Sequence, residues 1–289
     1  MSRMGAICVT GLGLGYSLSL LLTDAGYKVI GIDTNPQTWE RPRLDETMSA
    51  YAHLASQIHF TTSYDAVADA DLCMIFVSTP LVGRRLSIAN VEASLSAILA
   101  ANHHAVISIL STLPIGGTAY LLDKYPEAAS RLLLSPPQVR QGAFLPTFTR
   151  PPLQLIGSGH LSDSEALVAV YRDLQDRNTK YLHADYKTVE VTKLAINAFL
   201  ATKIVFANSV ADYCKTLGMD GSKVMRLAAN DPRIGSTHPS YPTYTKPDGP
   251  YAGQCLPRDV EELLNATEEP SQLKELLGCM KALNEKRAR

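Results

Sequence analysis

The segment YAGQCLPRDVEELL puts Cys255 just ahead of a helix start, with Pro257 in the first turn and Asp259 four positions on. Proline is favoured at the opening of a helix. The unpaired amides of that first turn favour a thiolate over a thiol, so this placement describes a cysteine suited to covalent attack on an electrophile. A spacing of four sets Cys255 and Asp259 on one helix face. A lone cysteine at a helix start is more often an inert core residue, so the reading depends on what the other segments supply.

A second site-forming pattern lies at the other end of the chain. Gly11-Leu12-Gly13-Leu14-Gly15-Tyr16 follows an apolar run and opens a helical pattern, and Asp33 closes the next apolar run 22 positions after Gly11. Glycines at such a turn let backbone approach a pyrophosphate, and an acid at about 20 residues' distance holds a ribose 2′-hydroxyl. Gly11, Gly13, Leu14, Gly15 and Asp33 therefore read as a dinucleotide site, with Asp33 favouring NAD over a cofactor carrying a 2′-phosphate. The third glycine is one place early, since the usual pattern needs glycine where Tyr16 stands. The alternative is a turn of this shape that no longer binds cofactor.

Positioning these groups requires two kinds of scaffold. AICVTG, KVIGID, LCMIFVST, AVISILST, RLLLS, LQLIG and KYLHA read as buried strands, and SLSLLLTDAG, IANVEASLSAILAAN and DSEALVAVYRDLQ as the helices between them. Strands alternating with helices predict an α/β fold with a doubly wound parallel sheet over residues 1–184. From 185 to 289 the pattern is helical. Apolar or small residues recur at helical spacing through one long helix of about 186–217. The stretch 230–254, NDPRIGSTHPSYPTYTKPDGPYAG, is too long and irregular for a simple connection, and loops of that kind are usually functional.

Composition narrows the class. The 289 residues carry a net charge of −1 and are 46% hydrophobic, which suits a globular protein and shows no basic footprint for nucleic acid. Five cysteines without C-x-x-C spacing argue against a disulfide framework, and no cluster supports a metal. A reducing cytoplasm fits. The amino terminus enters a strand pattern without a basic leader, and no uninterrupted apolar run reaches the ~20 residues of a bilayer span. Neither secretion nor membrane insertion is expected. His103, His104 and His238 read as surface or capping residues.

Taken together, GLGLGYSLSLLLTDAGYKVIGID, DADLCMIFVSTPL, STLPIGG, SPPQVRQGAF, VTKLAINAFLATKIVFANSVADYCKTLGM, NDPRIG and GPYAGQCLPRDVEEL resemble, in order, the motifs of the UDP-glucose/GDP-mannose dehydrogenase family. Those enzymes oxidise a primary alcohol of a nucleotide sugar twice with NAD. The resemblance implies an N-terminal Rossmann-like domain followed by an all-helical domain that pairs two subunits into a homodimer. It assigns Cys255 as the catalytic thiol, Asp259 as the acid after it, Lys193 and Asn197 as a K-x-x-x-N pair, and Thr112 as the threonine of S-T-V-P. Ser78, Thr79, Pro80 and Thr112 would border the cofactor, and Gln141, Arg233, Tyr251 and Gly253 the sugar-type substrate. Capsule, exopolysaccharide or secondary-metabolite sugar synthesis is the implied setting.

The chemistry is coherent on its own terms. An alcohol that loses hydride must also lose its hydroxyl proton, and Lys193, directly or through a water, can stabilise the developing alkoxide. Asn197, on the same helix face, can donate to that oxygen. Cys255 would add to the aldehyde, giving a thiohemiacetal whose oxidation leaves a thioester for water. Asp259 and Thr112 would orient that water.

Two departures bear on the final step. The family's P-E-F-L-R-E-G is here Pro136-Pro137-Gln138-Val139-Arg140-Gln141-Gly142, so Pro137 and Gln141 replace both glutamates, and an amide cannot take up a proton near neutral pH. The chain also stops at MKALNEKRAR, where the family continues into a domain that grips the nucleotide. The expectation is a substrate lacking the nucleotide, or a partner chain that supplies the missing grip. Arg258 stands where the family has lysine, keeping charge but changing shape. Two alternatives stay open beside the double oxidation: a single oxidation to an aldehyde or ketone in the manner of β-hydroxyacid dehydrogenases, and a non-catalytic cofactor-binding member.

Overall fold

Apolar runs become the strands of a central sheet, buried on both faces at its centre, as expected where helices cover both sides. The segment KYLHA forms a strand at the sheet edge and is largely exposed, not buried as its sequence suggested, because it has a neighbour on one side only. The computed structural model describes residues 5–140, 142–159, 164–234, 249–266 and 269–288. Its contacts define two units, Met1–Thr79 with Ser87–Glu190, and Pro80–Leu86 with Val191–Arg289.

In the first unit, β1 (Ala6–Thr10), β2 (Lys28–Ile32), β3 (His59–Thr61) and β4 (Ala70–Ile75) form one half of the sheet. After a short hairpin, β5 (Leu81–Val82) and β6 (Arg85–Leu86), the other half is β7 (Val106–Ile109), β8 (Leu132–Leu134), β9 (Leu153–Gly157) and β10 (Lys180–Ala184). The strand order β10-β9-β8-β7-β4-β1-β2-β3 leaves β1 between β2 and β4, so the chain leaves β1 in one direction and returns on its other side. That reversal of strand order creates the crevice at the carboxyl ends of the strands where doubly wound folds bind ligands.

The helices of this unit are α1 (Gly15–Asp24), α2 (Gln37–Glu40), α3 (Ala89–Ala101), α4 (Gly117–Lys124), α5 (Phe144–Thr149) and α6 (Glu165–Leu174). Helix α1 is buried from Gly15 through Thr23, and Tyr16 at its start stacks on Phe60 with centroids 5.5 Å apart. Phe60 in turn stacks on Trp39 at 5.9 Å. Gly31 makes room for this stack, because a Cβ there would meet the Phe60 ring at 2.6 Å.

The sheet departs from the expected all-parallel pattern at one place. Strand β9 runs antiparallel to β8, pairing Leu134 with Gly157, while every other neighbouring pair is parallel. Among the described residues, the connection from Leu134 to Leu153 holds only the six-residue α5, and a reversal can stay at one end of the sheet where a parallel neighbour needs a full crossover. Strand β3 and the β5–β6 hairpin, three and two residues per strand, carry too little pattern to be read from sequence.

The second unit is built on α7 (Tyr186–Thr216), with α8 (Gly221–Ala228), α9 (Cys255–Asn265) and α10 (Gln272–Ala288), and it takes in the β5–β6 hairpin. One side of α7 buries Leu194, Ala198, Ala201 and Val205 together with the polar Lys193, Asn197 and Asn208. Another exposes Phe199, Phe206 and Tyr213 at spacings of seven. By length and composition α7 is able to cross a membrane, with mean hydropathy 1.5 over its most apolar window, which qualifies the sequence expectation. Yet 44% of that window is buried, and its buried face carries a lysine and an asparagine, the pattern of a helix packed within protein.

Candidate active site

Cys255 is the first residue of α9 and is exposed, one position further into the helix than the sequence suggested. Gln254 precedes it without a side-chain cap. The approach to the thiol is fixed on two sides: Asn208 of α7 donates to the Gly249 carbonyl at 2.6 Å, and Asn284 of α10 exchanges hydrogen bonds with the Tyr251 backbone at 2.7 and 3.1 Å. Gly253 then turns the chain into the helix at φ 81°, a left-handed conformation that a side chain would strain.

Asp259, one turn into α9, is completely buried. Its Oδ2 accepts from Asn197 Nδ2 at 2.5 Å and its Oδ1 from Arg258 Nε at 2.9 Å. Both carboxylate oxygens are thus engaged by protein, and Asn197 on α7 is tied to α9 through this acid. Lys193, one turn before Asn197, is 7% exposed. Burial pushes its ammonium pKa down, the neighbouring Asp259 and Cys255 push it back up, and Arg258 lowers it further. The structure therefore brings Cys255, Lys193, Asn197 and Asp259 into one cluster in the second unit, and an amine with a depressed pKa is suited to exchanging a proton with an alcohol.

Other expected substrate contacts are placed differently. Arg233 is exposed, and its guanidinium is paired with Asp231 at 2.6 Å within its own turn. Tyr251 is buried and lines a cavity of about 290 Å³ with Pro257 and Asn284; burial raises its phenol pKa, with Glu285 and Glu261 adding to the rise. Gln141 and His238 lie outside the described residues, whereas His103 and His104 are exposed.

In the first unit, the glycine turn sits at the carboxyl end of β1 as the sequence predicts. Gly11 has φ 81°, and a Cβ on it would meet the Phe76 carbonyl oxygen at 2.7 Å. A Cβ on Gly13 would meet nothing within 4 Å, which leaves an open cradle at the uncapped start of α1. Gly15 answers the question raised by Tyr16: its Cβ would meet Val9 Cγ1 at 2.9 Å, so the close helix-to-strand approach falls here, one place early. Leu14 is partly exposed at the helix cap. Asp33 bridges the two loops, accepting from Leu12 N at 2.7 Å and Asn35 N at 3.0 Å. A helix start without a side-chain cap, beside an open cradle and an acid, fits a dinucleotide.

Beyond β4, Thr79 donates to the Thr112 carbonyl at 2.9 Å, and the Ser78 carbonyl accepts from Asn90 at 3.0 Å. Pro80 opens the hairpin assigned to the second unit.

Three residues escaped the sequence reading. Glu190, 2% exposed, accepts from Gly116 N and from both Thr118 N and Oγ1, each at 2.7 Å, so the first turns of α7 cap α4. Its signal was its place one turn before Lys193. Glu262, buried, pairs with the half-exposed Arg85, as described below; Glu262 follows Asp259 by three, a spacing that shares its helix face.

Residues 5–175 match the NAD binding domain, and residues 187–286 the central domain, of the UDP-glucose/GDP-mannose dehydrogenase family. The UDP-glucose 6-dehydrogenase of Pseudomonas aeruginosa is 30% identical over 80% of this chain and 52% of that protein. That of Rhizobium meliloti is 28% identical over 97% of this chain and 68% of that protein. The structure of a UDP-glucose dehydrogenase from the hyperthermophilic archaeon Pyrobaculum islandicum superposes with a TM-score of 0.84 at 26% identity, over 99% of this chain and 69% of that one. The chain thus spans about half the length of the Pseudomonas relative. On the match of both domains, the chain belongs to the UDP-glucose/GDP-mannose dehydrogenase family and takes NAD as the cofactor of its first unit.

Proposed function

We propose that the protein oxidises a primary alcohol of a sugar or sugar nucleotide to the carboxylate in two steps, each drawing on NAD. The observation that carries this reading is the cluster of an exposed helix-start thiol with a buried amine and amide, Cys255 with Lys193 and Asn197. Bound NAD accepts the hydrides. The remaining work belongs to the chain.

In this proposal the turn Gly11–Gly15 holds the pyrophosphate and Asp33 the ribose, with Ser78, Thr79, Pro80 and Thr112 bordering the rest of the cofactor. Lys193 takes the hydroxyl proton, directly or through water, and Asn197 donates a hydrogen bond to the developing alkoxide. Asp259 keeps the Asn197 amide oriented, which suits its two occupied oxygens better than the handling of water. Cys255 adds to the aldehyde carbon, the thiohemiacetal loses a second hydride, and water cleaves the thioester. Tyr251 and Gly253 shape the approach to the thiol; Arg233 and Gln141 are proposed substrate contacts. A homodimer formed through the exposed face of α7, action in the cytoplasm, and service to polysaccharide or secondary-metabolite synthesis complete the proposal.

A second reading stops at the aldehyde. It is favoured by Gln141, an amide that cannot take up the proton of a hydrolytic water where the family has a glutamate, and by Pro137 in place of the family's other glutamate. The test is NADH formation by the purified protein with NAD against UDP-sugars, GDP-mannose, free sugars and sugar phosphates, with products weighed by mass spectrometry. Two NADH per acid support the double oxidation. One NADH per aldehyde supports the second reading, and no turnover with any of them defeats both.

A further inference from the structure

We propose that Glu262, held by the β5–β6 hairpin, is a positioning residue for the Cys255 thiol. Glu262 is completely buried. Its Oε2 accepts from Leu86 N at 2.7 Å, Arg85 Nε reaches both carboxylate oxygens at 3.1 and 3.2 Å, and Arg85 Nη2 approaches Oε1 at 3.0 Å. The pair is charge-assisted and forked, the arrangement that fixes direction as well as distance.

Cys255, Asp259 and Glu262 follow one another on α9 at steps of four and three, so they share one face. Asp259 is bound by Asn197 at one level, and Glu262 is bound by the hairpin a turn further on. One such anchor is a pivot; two prevent the helix from rotating about its axis or sliding along it. The hairpin is suited to the task, because Leu81 pairs with Leu86 and Val82 with Arg85 around a turn whose Gly83 has φ 63°. An apolar contact would bury the same surface without a preferred orientation. Burying a carboxylate against an arginine whose side chain is 46% exposed is a costly way to gain stability alone. Its return is the fixed setting of α9, and with it the placement of the thiol beside Lys193.

The functional importance of that placement rests on the thiol chemistry proposed above, but the placement itself is measurable without substrate. The experiment is alkylation of the full chain by iodoacetamide across pH, followed peptide by peptide, in the wild type and in Glu262→Gln, Arg85→Met and Arg85→Lys. Cys279, also exposed, serves as the internal standard. Glu262→Gln and Arg85→Met are expected to slow Cys255 alkylation by roughly tenfold, the effect of about 1.4 kcal/mol, and to displace its pH profile. Cys279 stays unchanged, and Arg85→Lys, which keeps the charge, recovers much of the rate. If Glu262→Gln fails to fold, Arg85→Met decides. Wild-type rates and pH profile at Cys255 in a folded Arg85→Met protein overturn the proposal. A wild type that oxidises no sugar removes the enzymatic reading while leaving the alkylation result to stand or fall by itself.

Discussion

Asn197 and Asp259 are 62 residues apart in sequence and 2.5 Å apart in the fold, where the amide of one donates to the carboxylate of the other. The bond ties the long helix to the helix that starts at the thiol. It also fixes which way the Asn197 amide points, since a carboxylate oxygen accepts and only the Nδ2 side of the amide can donate to it. Asp259→Ala leaves a buried amide and the Arg258 guanidinium without this partner, at a cost of about 1–3 kcal/mol or more. The expected outcome is a lower Tm and a fall in kcat of at least about tenfold. An activity loss without any change in Tm would separate Asp259 from the structural role assigned here.

Lys193 makes the pH dependence testable in sign. Burial depresses its pKa, Asp259 and Cys255 oppose the shift, and Arg258 reinforces it. If the free amine takes the alcohol proton, activity rises with pH through that depressed pKa. Asp259→Asn removes a charge that raises it, so the limb moves to lower pH; Arg258→Met removes one that lowers it, so the limb moves to higher pH. Shifts of kcat/KM in the same direction for both variants would contradict the assignment. Stability follows the same logic. The unfolded lysine titrates near ~10.4, above the folded value, so between the two the unfolded chain binds more protons and stability increases with pH. Lys193→Met should flatten that slope.

Much of this was legible in the sequence because its signals are local. The strands of the sheet core are short apolar runs, α7 is a periodic pattern of thirty-one residues, and the glycine turn and helix-start cysteine announce themselves by spacing. What was not legible depends mostly on partners far away in the chain. That Asp259 accepts from Asn197, 62 residues earlier, and that Glu262 meets a hairpin 176 residues earlier are facts of packing, while the pairing of Arg233 with Asp231 is set by the shape of their own turn. Gly15 stands between the two cases: its offset was visible, but only the contact it permits with Val9 explains why the offset is tolerated.

The three glycines should separate on substitution. Gly13→Ala adds a methyl into open space, so Tm is expected to hold while NAD affinity falls by calorimetry, because the methyl enters the proposed phosphate cradle. Gly15→Ala brings Cβ to within 2.9 Å of Val9 Cγ1 and should lower Tm as α1 is pushed from β1. Gly11→Ala combines a positive φ with a 2.7 Å approach to backbone and should be the most damaging to folding. Equal loss of Tm at Gly13 and Gly15 would show that the cradle is filled by protein.

The exposed aromatic stripe of α7 predicts an oligomer. Phe199, Phe206 and Tyr213 are 65%, 61% and 65% exposed and recur at intervals of seven, which aligns them along one side of the helix. Burying each against a second copy contributes on the order of 1.5–3 kcal/mol. Light scattering at micromolar concentration should give a dimer mass for the wild type and a monomer mass for the paired variant Phe199→Asp with Phe206→Asp. A monomeric wild type would defeat the proposed assembly.

Cys255→Ser distinguishes the two proposed oxidation steps. The hydroxyl occupies the thiol's place at the start of α9 but is a far weaker nucleophile near neutral pH, so it does not add efficiently to the aldehyde. The first hydride transfer needs only the alcohol, its proton acceptor and NAD, and it should survive. The expected result is one NADH per aldehyde and no acid, with NAD affinity and Tm close to wild type because the side chain is exposed. Replacing Lys193 by alanine should instead suppress the first step, so neither aldehyde nor NADH accumulates. Acid formation by Cys255→Ser at the wild-type rate would remove the covalent route and leave hydration of a free aldehyde as the path to the second hydride.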